Sequence, residues 1–269
     1  MEENKYETEI VIGIPGKWKD RRELTTALAH GSLKDGSFIM AGSIMKDMKE
    51  DDTFFEIEIY EHDKNLKEAF FYAGGTRLDT AVLEEIDQHT FTVYIIAKND
   101  GFEVVKSVIK AVSDILNAGG LAVKIETSGI AHSKESWLEM KEKTDDVSIY
   151  KHFVALANYE EYISSFGMKG FGLPDVIMVP PTLPLEEACE LLNTFNLNYL
   201  ITKPVIKEGE SFSLAIDAPF YRMTFLEDER YETDDIFRNP YGLIKLEALS
   251  EKEERNKRNL LVRLWSKDK

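Results

Sequence analysis

The stretch Thr53-Phe54-Phe55-Glu56-Ile57-Glu58-Ile59-Tyr60 alternates apolar with acidic side chains. Successive side chains of a β-strand point to opposite faces of a sheet, so Phe55, Ile57 and Ile59 share one face, and the two glutamates share the other. The period of two therefore predicts a strand that buries one face and leaves the other face polar.

The segments on either side of this strand alternate between strand and helix patterns. Strands are predicted at residues 9–14, 38–44 and 91–96, and helical periodicity is present after Asp20 and in residues 66–73 and 80–88. The order β-α-β-β-α-β has the connectivity of a ferredoxin-like unit, in which two helices cover one face of a mainly antiparallel sheet. We therefore predict a ferredoxin-like α+β half over residues 1–98.

Residues 99–249 continue the mixture of helices and strands. Helices are predicted at 104–116 and 185–194, and strands at 121–126, 152–157, 176–179, 211–216, 221–226 and 243–246. The predicted fold class is α+β, with mixed, mainly antiparallel sheets and packed helices. One interpretation makes this second half a diverged related unit packed on the first, although no residue-level repeat identifies a duplication.

The last twenty residues, 250–269, are predicted to form a basic amphipathic helix. They contain seven Lys or Arg residues against four acidic ones, and Leu260, Leu261, Leu264 and Trp265 share one helical face. Such a helix docks on its own acidic domain, or it binds a partner or a membrane surface. The sequence leaves these alternatives open.

The charge balance favours a basic protein as the partner. The 269 residues include 33 Lys+Arg against 49 Asp+Glu, which gives a formal net charge of −16. Such a molecule repels nucleic-acid phosphates at long range, so we expect no nucleic-acid partner. The acidic runs 47–52 and 227–235 are interpreted as solvated loops.

Cysteine usage and apolar patterns indicate a cytoplasmic protein. The single cysteine, Cys189, excludes an intramolecular disulfide and a multi-cysteine zinc site. The chain begins without the positively charged start of a signal peptide, and no apolar run approaches the roughly 18 residues of a membrane span. We therefore expect no transmembrane segment. The five histidines lack metal-binding spacing, so neither a metal nor a cofactor is expected.

The densest polar group is Lys124-Ile125-Glu126-Thr127-Ser128-Gly129-Ile130-Ala131-His132-Ser133, in which a strand ends, a turn follows and a helix begins. One interpretation of this group is catalytic. His132 would be the general base, Glu126 its orienting group, and Ser128 or a water molecule the nucleophile.

The other interpretation of the same group is structural. Ser133 caps the next helix, which contains Trp137, and His132 is buried and hydrogen-bonded. If the apolar residues of the strand face the core, Lys124 and Glu126 share the opposite face. Lys124, Ser133 and Trp137 are candidate binding residues.

The second candidate site is Phe166-Gly167-Met168-Lys169-Gly170-Phe171-Gly172-Leu173-Pro174-Asp175. Its glycines permit positive φ angles or a close approach of the backbone. The spacing G-x-x-G-x-G reverses the dinucleotide-binding fingerprint, and a strand pattern follows it, so a conformationally demanding turn is the simpler interpretation. Lys169, Phe171 and Asp175 are candidate binding residues here.

Four segments form a distinctive combination: residues 121–133 with Trp137, the GM-x-x-FGLPD motif of residues 167–175, Gly209-Glu210-Ser211-Phe212-Ser213, and Asn239-Pro240-Tyr241-Gly242. Together they resemble a bacterial domain family of unknown function, over roughly residues 8–249. The resemblance implies a bacterial cytoplasmic protein and brings no established reaction. Lys169 stands where a histidine is common in that family, which argues against a metal ligand or base at this position.

Two functions are consistent with these patterns. The first is a non-enzymatic protein-binding module of the immunity-protein type, in which an acidic cytoplasmic protein neutralises a basic toxin. The second is a hydrolase-like enzyme that uses Glu126, Ser128 and His132. A homodimer, in which the basic C-terminal helix pairs with the acidic body of a second copy, is a further alternative.

Overall fold

Two β-sheets and the helices packed against them form the described part of the chain. The computed structural model describes residues 8–32, 37–50, 53–98, 100–143, 145–179, 183–215 and 217–257. Most strand pairs in both sheets are antiparallel, which confirms the predicted α+β class with mainly antiparallel sheets and packed helices.

The first sheet has seven strands: β1 (Ile10–Gly16), β2 (Phe38–Ala41), β3 (Ile44–Asp47), β4 (Phe54–Glu61), β5 (Phe91–Ala97), β6 (Ala122–Ile125) and β7 (Ile130–Ser133). Their order is β2-β3-β4-β5-β1-β6-β7, and each neighbouring pair is antiparallel. In β4, Phe55 and Ile57 are buried while Glu56 and Glu58 are exposed, as the alternation predicted. Because β6 and β7 lie beyond residue 98, this sheet draws strands from both predicted halves.

Helices pack on both faces of the first sheet. The main hydrophobic core lies between the sheet and α1 (Arg21–Ser32), α4 (Phe102–Asn117), α5 (Lys134–Lys143) and α6 (Asp146–Phe153). On the opposite face, α2 (Leu66–Gly74) and α3 (Thr80–Asp87) form a smaller cluster in which Phe70 and Ile86 join Ala122 and Ala131. These two helices therefore cover the β6–β7 end of that face.

The second sheet has six strands: β8 (Ala155–Asn158), β9 (Ile163–Phe166), β10 (Asp175–Met178), β11 (Ser211–Phe212), β12 (Tyr221–Leu226) and β13 (Leu243–Ala248). Their order is β11-β12-β13-β10-β9-β8, in which β10 and β13 run parallel. The long helix α7 (Leu185–Thr202) packs on one face, where Phe195 joins Val176 and Ile244 in a second hydrophobic cluster. Leu200, near the end of α7, belongs to the main core, so this helix links the two sheets.

Three predicted strands differ from the observed ones. The strand predicted at 38–44 is observed as two strands, β2 and β3, which a turn at Gly42 with a φ of 63° joins. The strand predicted at 152–157 begins only at Ala155, because α6 occupies the preceding residues. Asp145 caps α6 by accepting a hydrogen bond from the Ser148 N–H at 2.8 Å, and this cap favours the helix over an earlier strand. The strand predicted at 211–216 is reduced to two residues.

The C-terminal region is described as far as residue 257, and residues 251–257 are helical. The apolar stripe predicted at residues 260–265 lies outside the described residues. Among the helices that the structure describes, none is long and apolar enough to cross a membrane.

Candidate functional site

The GM-x-x-FGLPD motif connects β9 to β10 through a tight turn. Gly167 and Gly172 have φ angles of 113° and 74°, and a 3-10 turn, Met168–Phe171, lies between them. A Cβ atom at Gly167 would lie 2.2 Å from the backbone oxygen of Phe153. These two glycines are therefore required by the path of the backbone, in agreement with the predicted demanding turn.

Asp175 ends the motif with a carboxylate that is 1% exposed. Its Oδ1 atom accepts hydrogen bonds from the Met168 N–H and the Ser165 hydroxyl, both at 3.2 Å. Its Oδ2 atom accepts a hydrogen bond of 2.8 Å from Nδ2 of Asn239. Burial raises the pKa of this carboxyl to about 6, because the charged form loses its hydration. Asp175 thus joins the motif to β9 and to the Asn-Pro-Tyr-Gly segment.

Asp228 and Arg230 form a buried ion pair in the segment between β12 and β13. The guanidinium group donates from Nε and Nη2 to the Asp228 carboxylate at 2.8 and 2.9 Å, and from Nη1 to the Ser164 hydroxyl at 2.7 Å. It also lies 4.5 Å from the ring centroid of Phe166. Asp228 is 1% exposed, so the interpretation of residues 227–235 as a solvated loop is wrong at this pair. The hydrogen bonds offset the cost of removing both charges from water. The same interpretation of residues 47–52 is wrong at Asp47, which is 1% exposed at the end of β3.

Lys169, which belongs to the GM-x-x-FGLPD motif, binds the backbone of the segment between β12 and β13. Its Nζ atom donates hydrogen bonds to the backbone oxygens of Ile236 and Arg238, the latter at 3.1 Å. Burial lowers the pKa of the Lys169 ammonium group. Phe171 stacks on Phe102 with ring centroids 5.8 Å apart and belongs to the main core. The polar and aromatic residues of the motif therefore have structural partners.

His132 and His152 form a pair in which His132 is 2% exposed. The two rings are 4.5 Å apart, and Nε2 of His132 lies 2.9 Å from the backbone oxygen of His152. Burial lowers the pKa of His132 to about 3. His132 and Ser133 lie in β7 rather than at a helix start, but Ser133 accepts a hydrogen bond from the Ser136 N–H and so caps α5 as predicted. Trp137 is fully buried beside this pair.

The three residues of the catalytic interpretation are not joined by hydrogen bonds. Glu126 forms an ion pair with Lys124, on the face opposite the apolar residues of β6, as predicted. The Ser128 hydroxyl is buried and has no hydrogen-bond partner. Within the described residues, neither Glu126 nor Ser128 bonds to His132, although a nucleophile and its base need separations of about 2.6–3.2 Å.

Part of the first sheet is covered by none of the helices that the structure describes, and it presents aromatic and acidic side chains. We define the open sheet face as the outward side chains of Val11, Glu58, Tyr60, Tyr94, Ile96 and Glu126. Tyr60 and Tyr94 meet edge to face with ring centroids 5.6 Å apart, and the Tyr60 hydroxyl donates to Glu58 at 2.7 Å. Tyr94 occupies the space above Gly13, where a Cβ atom would lie 2.9 Å from its Cε1 atom.

Carboxylates surround the two tyrosines on this face. A shallow cleft of about 520 Å³ is lined by the open sheet face together with Glu61, Asp63, Thr92 and Ile236. Its lining holds four carboxylates and no basic side chain from the part of the chain that the structure describes. Tyr60 is 55% exposed, whereas burial and then Glu126 raise the pKa of Tyr94 to about 12.

The sequence patterns did not single out Tyr60, Tyr94, Asp228 or Arg230 as site residues. The two tyrosines lie within ordinary strand patterns. Whether a helix covers their face depends on the position of α2 and α3, which pack at the β6–β7 end of the sheet. A signal for the ion pair is present, since Arg230 interrupts an otherwise acidic run. The burial of Arg230 could not be predicted from this signal, because its partner Ser164 lies 66 residues away in the chain.

No known family model, no curated protein and no solved structure matches this chain. The open sheet face, the buried network around Asp175 and Arg230, and the histidine pair are the features that bear on function. Of these, the buried network and the histidine pair lie inside the fold, whereas Glu58 and Tyr60 of the open sheet face are exposed.

Proposed function

We propose that this chain is a non-enzymatic protein-binding module of the immunity-protein type, which binds a basic protein through the open sheet face. One observation carries the proposal: four carboxylates line the cleft around Tyr60 and Tyr94, and none of the helices that the structure describes covers it. The partner is a protein whose contact surface is basic and contains apolar groups that pack on the tyrosines.

The composition of the open sheet face supports binding of such a partner. Tyrosine is enriched among the residues that dominate binding energy, because it buries a large ring and keeps a polar hydroxyl. Carboxylates around it accelerate association with a basic surface and disfavour acidic partners. The formal net charge of −16 acts in the same direction at long range.

Structural roles of the motif residues support a binding module over an enzyme. His132, Lys169 and Asp175 are each held by hydrogen bonds inside the fold. The GM-x-x-FGLPD motif shapes a turn and holds the segment that carries Ile236 beside the cleft.

The test is binding of the tagged full-length chain to a basic protein captured from its own source, including the products of neighbouring genes. Tyr60→Ala is expected to weaken this binding about tenfold or more, because it removes an aromatic contact at the centre of the interface. Glu58→Lys is expected to slow association at low salt and to have less effect at about 1 M salt.

A matched control is Tyr72→Ala, since Tyr72 is 74% exposed on α2 and does not line the cleft. This variant should bind like the wild type. Unchanged affinity in both Tyr60→Ala and Glu58→Lys would overturn the proposal. A homodimer that Tyr60→Ala dissociates, without any heterologous partner, would also overturn it, because the face would then serve self-association.

A further inference from the structure

Thr92 has a buried hydroxyl group that no described residue satisfies. Its side chain is 2% exposed, and its hydroxyl oxygen has no hydrogen-bond partner within the described part of the chain. A buried hydroxyl without a partner is costly, so nearly all such groups bind protein, water or a ligand. The Thr92 hydroxyl is therefore a candidate contact for a group that comes from outside the fold.

The Thr92 side chain points into the cleft of the open sheet face. In the register of the first sheet, Thr92 lies opposite Tyr60 of β4 and opposite Pro15 of β1. Because side chains alternate along a strand, Thr92 and Tyr94 share the outward face of β5, and both line the cleft. Since Thr92 is buried whereas Tyr60 is 55% exposed, Thr92 lies in the deeper part of the cleft.

Ion pairing divides the four carboxylates of this cleft into two groups. Glu126 is paired with Lys124. Three carboxylates form no ion pair within the described residues: Glu58, Glu61 and Asp63. These three belong to β4 and to the residues that follow it, and β5 and β1 separate β4 from β6 in the sheet. Negative charge without a paired cation is therefore concentrated on the β4 side of the cleft.

The contacts that these three carboxylates make are to neutral groups. Glu58 accepts a hydrogen bond from the Tyr60 hydroxyl at 2.7 Å, and Oδ1 of Asp63 accepts one from the Asn65 N–H at 2.9 Å. Within the described residues, Glu61 accepts no hydrogen bond. A carboxylate has two oxygens that each accept more than one hydrogen bond. All three groups can therefore accept further bonds from a cation.

The side chain of a lysine matches this arrangement of acceptors. Its methylene stem is apolar and unbranched, and its compact ammonium group has three donors that point in different directions. One donor can reach a hydroxyl deep in the cleft while the others reach carboxylates at its side. A guanidinium group is wider, and its five donors lie in one plane.

We propose that the cleft binds the ammonium group of a lysine side chain of the basic partner, with Thr92, Glu61 and Asp63 as the acceptors. The methylene stem packs against the rings of Tyr60 and Tyr94. Because Tyr60 is 55% exposed, its ring can turn aside and admit the ammonium group without loss of core packing. The inference rests on the proposed function, because it assigns one anchoring contact on the same face to the same partner.

The direct test uses N-acetyl-L-lysine amide as the probe and amide NMR spectra of the full-length, isotope-labelled chain. Binding with an affinity on the order of millimolar is expected to shift the amide signals of Tyr60, Asp63 and Thr92. N-acetyl-L-norleucine amide, in which a methyl group replaces the ammonium group, should shift them several-fold less. N-acetyl-L-arginine amide should bind about threefold more weakly than the lysine probe. Equal shifts with the norleucine probe, or equal or tighter binding of the arginine probe, would overturn the inference.

Thr92→Val removes the hydroxyl group and keeps the branched shape of the side chain. Because this hydroxyl has no partner in the fold, the variant should unfold at the same urea concentration as the wild type or at a higher one. It is expected to bind the lysine probe about threefold or more weakly. The control is Thr224→Val in β12, which should leave probe binding unchanged. Equal probe binding by the two variants, or a loss of stability in Thr92→Val, would overturn the inference.

Glu61→Gln and Glu68→Gln form a matched pair of charge variants. Both remove an exposed negative charge, but Glu68 lies in the first turn of α2 and does not line the cleft. Glu61→Gln is expected to weaken binding of the lysine probe about threefold, and Glu68→Gln to leave it unchanged. Equal effects of the two changes would mean that net charge alone attracts the probe, and would overturn the inference.

The same variants separate this inference from the proposed function. If Tyr60→Ala weakens binding of the partner while Thr92→Val does not, the lysine contact is overturned and the proposed function stands. If both variants weaken it and Thr224→Val does not, the lysine contact is supported. If Tyr60→Ala and Glu58→Lys both leave partner affinity unchanged, the proposed function is overturned whatever the probe does.

Discussion

Replacement of Arg230 by alanine should destabilise the protein more than any change at an exposed arginine. The Arg230 side chain is 9% exposed and donates two hydrogen bonds to Asp228, whose side chain is fully buried. One of its nitrogens also lies 3.8 Å from Asp175 Oδ2. Arg230→Ala leaves both carboxylates buried without this cation. Removing one partner of a buried ion pair costs about 3–5 kcal/mol, a large part of a typical unfolding free energy.

The loss of stability in Arg230→Ala should be smaller at low pH than at high pH. Burial already raises the pKa of Asp175 to about 6, and removal of the nearby guanidinium raises it further. The unfolded carboxyl has a pKa of about 4, so the folded state binds more protons. The stability that the protonated Asp175 carboxyl contributes is fully present below the pKa that it has in the unfolded chain. This stability is lost as the pH rises through the pKa that it has in the folded protein. The difference in the free energy of unfolding between the variant and the wild type should therefore be smaller at pH 5 than at pH 8.

Urea denaturation followed by tryptophan fluorescence measures both effects. The control is Arg222→Ala, because Arg222 and its ion-pair partner Glu253 have side chains that are 42% and 45% exposed. Exposed pairs contribute about 0–1 kcal/mol, so this variant should remain close to the wild type at both pH values. A loss in Arg230→Ala that is no larger than in Arg222→Ala, or that is the same at pH 5 and pH 8, would contradict a stabilising role of the buried ion pair.

Two further predictions concern the buried histidine and the motif turn. Burial lowers the pKa of His132 to about 3, so the stability it provides is present above pH 6.5 and is lost as the pH falls towards 3. His132→Gln should reduce the loss of stability between pH 7 and pH 4 in urea titrations, whereas a change at the exposed His30 should not. Gly167→Ala should lower the free energy of unfolding by about 2 kcal/mol more than Gly209→Ala, since both positions have positive φ but only the first is crowded, with a Cβ 2.2 Å from a backbone oxygen. Equal losses in the two glycine variants would show that φ alone sets the cost.

Short-range patterns were sufficient for much of the fold. The period of two in β4 gave the correct buried face, and Lys124 and Glu126 share a face because side chains alternate along any strand. The capping role of Ser133 followed from its position before a helical pattern. The ferredoxin-like connectivity of the first half and its boundary at residue 98 stay predictions.

The class of fold, the acidic charge and the turn at the glycines of the GM-x-x-FGLPD motif could be predicted, because each depends on residues close together in the chain. The burial of Asp228 and Arg230 could not be predicted, because Arg230 bonds to Ser164, which lies 66 residues away in the chain. The exposure of the open sheet face likewise depends on where distant helices pack. A charge is buried only where other groups compensate it, and a local sequence pattern contains no information about distant groups.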